Sequence, residues 1–106
     1  MKLLTEKLLK RFAEVRSQEN VEDPIVIAKF FNPSGSGTWL VTEYDPEERT
    51  FFGYASIFGD HNDEWGYTSL DELEAYRGPF GLGIERDRYW DEKPMSEAKR
   101  ELYGRG

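Results

Sequence analysis

The stretch from Thr38 to Phe58 reads as strand, turn and strand, and a chain that carries it is committed to an antiparallel hairpin near its centre. TWLVTEY alternates, which puts Trp39, Val41 and Glu43 on one face and Thr38, Leu40, Thr42 and Tyr44 on the other. Asp45-Pro46 opens a turn, since the Asp side chain accepts from the backbone and Pro suits the second turn position. FFGYASIF, from Phe51 to Phe58, is the returning strand. Gly53 within it marks a bulge or a place where another ring or backbone comes close.

The flanking segments supply what such a hairpin packs against. Leu4, Leu8, Phe12 and Val15 fall at three- and four-residue spacing, which predicts a helix from about Glu6 to Arg16, capped by Thr5 and stapled by Leu4 on Leu9. Lys7, Lys10, Arg11 and Arg16 make it the most basic element, in keeping with a solvated exterior more than with a docking face for an acidic partner. Ser17 to Pro24 reads as a linker loop, and Ile25 to Phe31 as one interior strand, apolar on both faces. Trp65 to Thr68 is a short strand. Ser69 with Glu72 three residues on caps a helix over Ser69 to Tyr76, and Gly78-Pro79 ends it. Ile84 to Trp90 is the last strand, with Glu85, Asp87 and Tyr89 on one face, and Pro94 to Tyr103 carries a weak helical pattern that Ser96 can cap. Gly104 to Gly106 should fray. The fold class expected is α+β: a single domain with a mainly antiparallel sheet of four to five strands, the N-terminal helix packed on one face, and a short helix near 70–76.

Several chemistries are excluded. The chain has 106 residues, room for one core, and no cysteine, so disulfides, thiolate zinc sites and cysteine nucleophiles are absent together. That composition fits a reducing compartment; MKLLTEKLLKRF lacks a signal peptide's continuous apolar stretch, no segment approaches membrane-spanning length, and a cytoplasmic protein is expected. A net charge of −7 argues against direct nucleic-acid binding and leaves a basic protein partner open. NPSGSG, Asn32 to Gly37, is turn chemistry without the lysine of a phosphate loop. The glycines at 78, 81 and 83 have the wrong spacing for a dinucleotide fingerprint and indicate close backbone packing. No cofactor is implied.

What remains is a set of candidates. The loop Gly59 to Glu64 holds the single histidine, His61, beside Asp60, Asp63 and Glu64; the spacing matches no calcium loop or metallohydrolase motif, so it reads as a surface loop and no metal site is assigned. Glu43, Asp45, His61, Glu85 and Asp87 would serve an enzyme or ligand site if they converged in one pocket. Trp39, Tyr54, Trp65, Tyr67 and Trp90 would offer a stacking surface where exposed, although most are expected in the core.

The runs TW-x-x-TE-x-DP (Thr38 to Pro46), FFGY (Phe51 to Tyr54), GY-x-SL-x-EL (Gly66 to Leu73) and GPFGL-x-IERD (Gly78 to Asp87), with the N-terminal MKLLTEKLL, resemble the bacterial family called domain of unknown function 2958. The resemblance spans nearly the whole chain. It implies a short protein of plasmids, integrative elements or phages, with no assigned activity and so no catalytic residue to transfer. Two functions stand: a non-enzymatic accessory factor that binds another protein, with Trp39, Glu43, Asp45, Tyr54, Glu85 and Asp87 as candidate contacts, or a small metal- or ligand-binding enzyme using a carboxylate cluster.

Overall fold

The computed structural model describes residues 2–57 and 63–104. Phe58, Asp60 and His61, and the end of the expected fraying tail, lie outside these. Helix α1, Glu6–Val15, begins where the Thr5 hydroxyl accepts from the Leu8 N–H at 3.1 Å. Leu4, Leu8, Phe12 and Val15 all pack into the main core as the periodicity requires. Of the pair expected to staple its start, Leu4 packs against the main core and Leu9 is left 42% exposed.

The strands are β1 (Ile25–Val26), β2 (Ala28–Phe31), β3 (Thr38–Asp45), β4 (Thr50–Ser56), β5 (Glu64–Ser69), β6 (Glu85–Arg86) and β7 (Lys93–Pro94). Five form one antiparallel sheet in the order β5-β4-β3-β2-β6, and β1 pairs separately with β7. The run expected as one strand over Ile25 to Phe31 is thus split at Ile27. Val26 is needed in one core and Ile27 and Ala28 in the other, while the Ile27 N–H still reaches the Val41 carbonyl at 2.8 Å. The last strand is also shorter than Ile84 to Trp90. After Arg86 the Asp87 carboxylate accepts from the Tyr89 N–H at 3.0 Å and turns the chain, and the Trp90 indole then donates to the Val26 carbonyl.

The sheet is covered on both faces. On one lie α1 and α2 (Leu70–Ala75), closing over Phe30, Val41, Phe51, Ile84 and Leu73; Phe30 and Phe51 each contribute about 2–3 kcal/mol by burial. On the other lies α3 (Met95–Tyr103), whose Met95 and Ala98 meet Val26 and Leu40. Ser69 caps α2 as expected, accepting from the Glu72 N–H. Ser96 does not cap α3. Asp23, from the loop after α1, accepts from the Ser96 N–H at 2.9 Å and from its hydroxyl at 2.6 Å, and these bonds hold the Asp23 carboxyl below the usual carboxylate range.

One irregularity decides which side chains face where. The β3–β4 register shifts between Val41 and Glu43, a bulge that leaves Thr42 as the extra residue. Beyond it the alternation inverts. Tyr44 joins Val41 and Trp39 on the α1 face, and Glu43 is carried to the opposite face beside Phe52. The expected grouping of Glu43 with Trp39 and Val41 is therefore corrected. Gly53 is not itself bulged: it pairs regularly with Val41 across from the irregularity, and a Cβ there would lie 2.1 Å from the Leu40 carbonyl oxygen, so of the two readings of this glycine the close approach is the one found.

The loop from Ser17 to Pro24 is not a free linker. Gln18 is buried; its Nε2 donates to the Thr42 carbonyl and to the Ile25 carbonyl, both at 2.9 Å, and its Oε1 accepts from the Ile25 N–H at 2.7 Å. A Glu at this position keeps the shape and loses both donors. We expect Gln18→Glu to lower unfolding stability by about 3 kcal/mol in urea titrations, with the deficit narrowing as the pH falls through the carboxylic acid range and an O–H donor returns.

Candidate functional site

The anchored loop and the α3 side of the sheet enclose a groove of about 340 Å³. Gln18, Glu19, Val21, Glu22 and Pro24 form one wall; Glu43, Phe52, Trp65 and Tyr67 form the floor and the other wall. Phe52 and Tyr67 face each other across β4 and β5 with ring centroids 5.0 Å apart, and Phe52 stacks on Trp65 at 5.7 Å. Tyr67 is 78% exposed and Trp65 40%, large aromatic area left uncovered on a small protein. Three glutamates line this groove and, among the described residues, no lysine or arginine does. Glu43 is fixed at its base by accepting from the Gln18 N–H at 3.0 Å.

The aromatic row continues under α3. Tyr54 packs edge-on to Trp65, and the Lys99 ammonium stands 4.0 Å from the Tyr54 ring centre and 5.4 Å from that of Trp65. A cation is thus already seated at one end of the row. Beyond it, Asp63 accepts from the Ser56 hydroxyl at 2.7 Å and from the Tyr103 hydroxyl, and Tyr54 and Tyr103 share a 3.0 Å bond in which Tyr54 must donate. Desolvation of its hydroxyl end, then donation to Asp63, pushes the Tyr103 phenol above its ordinary range.

Two larger recesses are less suited to a specific ligand. One, about 570 Å³, lies between the Asn32 to Thr38 turn and Lys29, Phe31, Ser56, Ile57, Asp87 and Leu102. The other, about 540 Å³, brings Lys7, Lys10 and Arg11 of α1 to Arg86 and Arg88, but Glu14, Asp91 and Glu92 stand among them and Arg11 is spent on Glu92 at 2.8 Å.

The model of a family described as a protein of unknown function (DUF2958) matches residues 2–101, almost the entire chain. The chain belongs to this family. No curated protein and no solved structure matches it.

For this DUF2958 member the sequence-derived candidates separate. Glu43 and Tyr54 reach the groove or its extension. Trp39 is packed into the α1-side core, and Trp90 into the α3-side core. Asp45 accepts from the N–H groups of Glu47 and Glu48 and serves the hairpin turn. Glu85 lies on β6 beside Glu74 and Arg77, and Asp87 belongs to the turn after it. The carboxylates an enzyme reading would draw together therefore sit in different places, and among the described residues no group of three His, Asp or Glu is placed to hold a metal ion. Asp60 and His61 lie outside the described residues. Sequence reasoning missed Phe52, Gln18, Glu19 and Glu22. Gly53 pointed to a close backbone approach here, but nothing local placed the bulge at Thr42 that brings Glu43 to Phe52, and nothing local marks Gln18 as buried.

Tyr103 supplies a test of the network that holds α3 beside the aromatic row. Its raised folded pKa means that the stability it contributes is complete below the free tyrosine value of about 10 and is lost as pH rises through the folded value. Thermal melts across the alkaline range should therefore show Tm falling more steeply in the native protein than in Tyr103→Phe.

Proposed function

We propose that this protein is a non-enzymatic accessory factor that binds a basic segment of another protein, its groove receiving a lysine or arginine side chain. The observation that carries the reading is the pairing of an exposed aromatic platform, Phe52, Trp65 and Tyr67, with Glu19, Glu22 and Glu43, in a groove that no lysine or arginine among the described residues lines. Rings attract a cation through their quadrupole and the carboxylates supply the countercharge; the net charge of −7 adds long-range steering toward a positive partner. Lys99 on the Tyr54 and Trp65 rings is the same contact made within the chain. The separation of Glu43, Asp45, Glu85 and Asp87 weighs against the carboxylate-enzyme alternative. The cysteine-free composition favours a cytoplasmic setting, and the family resemblance alone supports a bacterial, mobile-element one.

Calorimetric titration with an acetylated decapeptide of alternating lysine and threonine, against its glutamine–threonine counterpart, tests the reading. The lysine peptide should bind, more weakly as salt rises, and the neutral one should not. Tyr67→Ala should weaken binding about three- to tenfold, and the Glu19→Gln, Glu22→Gln double variant should remove most of the salt dependence. Equal binding of both peptides, or indifference to both variants in folded protein, overturns it.

A further inference from the structure

β5 is the outer strand of the sheet and forms one wall of the groove. The Leu70 N–H donates to the Arg49 carbonyl at 3.0 Å, one step beyond the Thr50–Ser69 pair. Antiparallel pairs alternate between bonded and non-bonded, so Phe51–Thr68 and Gly53–Gly66 exchange hydrogen bonds, and the N–H and C=O groups of Trp65 and Tyr67 point away from β4. Two of the three residues whose rings form the platform, Trp65 and Tyr67, thus also present backbone donors and acceptors along the free edge.

Folded proteins guard such edges with lysine, proline, a bulge or brevity. β5 runs six residues, EWGYTS, without lysine or proline, and its register with β4 is unbroken. At its centre Gly66 meets no heavy atom within 4 Å of where a Cβ would stand. The opposite edge, β6, has only two residues.

We propose that β5 is a strand-addition site, at which an extended lysine- or arginine-bearing segment of a partner protein pairs with the backbone of Trp65 and Tyr67. Side chains of an added strand alternate between faces, so every second residue lies on the groove side, where its cation meets the Trp65, Phe52 and Tyr67 rings and the carboxylates opposite. The inference rests on the groove reading and adds the mode of recognition: the edge gives affinity through main-chain bonds and the groove gives the preference for positive charge. A second copy of β5 is the poorer occupant, since it brings Glu64 as its one charged side chain and no cation to a strongly acidic chain.

Amide hydrogen exchange by NMR, with and without the lysine–threonine decapeptide, tests this. The amides of Trp65 and Tyr67 should gain protection on binding, while those of Gly66 and Thr68, already bonded to β4, change little. Two analogues N-methylated on alternate residues should differ, the one methylated toward β5 binding about tenfold more weakly through loss of two backbone bonds. If the peptide binds in a Tyr67-dependent way but leaves both amides unprotected and both analogues equal, strand addition is overturned and the groove reading stands. Protection that rises with protein concentration alone assigns the edge to a second copy and also overturns it. Absence of peptide binding removes both.

Discussion

The side-chain amide of Gln18 is the contact on which the arrangement of the sheet turns. A bulge leaves one residue without a partner in the ladder, and the Thr42 carbonyl is buried where water cannot satisfy it. Gln18 donates to that carbonyl and, with its remaining donor and its acceptor, pairs both backbone groups of Ile25 as a strand neighbour would. One side chain therefore satisfies the bulge, fixes the start of β1 and holds the loop after α1 against the sheet.

The consequences reach both faces. Because the bulge inverts the alternation, Tyr44 completes the ring cluster with Phe12 and Phe51, and burial raises its phenol pKa. Glu43 is turned to the other side, where the loop that Gln18 anchors brings Glu19 and Glu22 opposite the aromatic floor. α3 covers only part of that face, tied through Tyr103, Asp63 and Ser56 and capped by Asp23 from the same loop. The uncovered remainder is the aromatic row ending at the free edge. Core construction and site construction share the same irregularity.

Much of this fold is legible in the residues themselves. The 3.6-residue spacing of Leu4, Leu8, Phe12 and Val15, the Ser69 cap, the NPSGSG turn and the hairpin expected over Thr38 to Phe58 are local, and the structure keeps each of them, the hairpin's return strand ending at Ser56. Local reasoning fails where a distant partner intervenes. Ser96 looks like a cap until Asp23, 73 residues earlier, takes the role, and Ile25 to Phe31 looks like one strand until β7 claims its first two residues.

For this chain the sequence by itself determined the α+β class, the central hairpin, the places of the three helices and the excess of negative charge, because periodicity, capping and turn chemistry act over a few residues and charge is a sum. The tertiary structure alone decided which carboxylates and rings meet. A strand's faces depend on its register, and the register of β3 depends on Gln18 finding Thr42, 24 residues away, a pairing with no local signature.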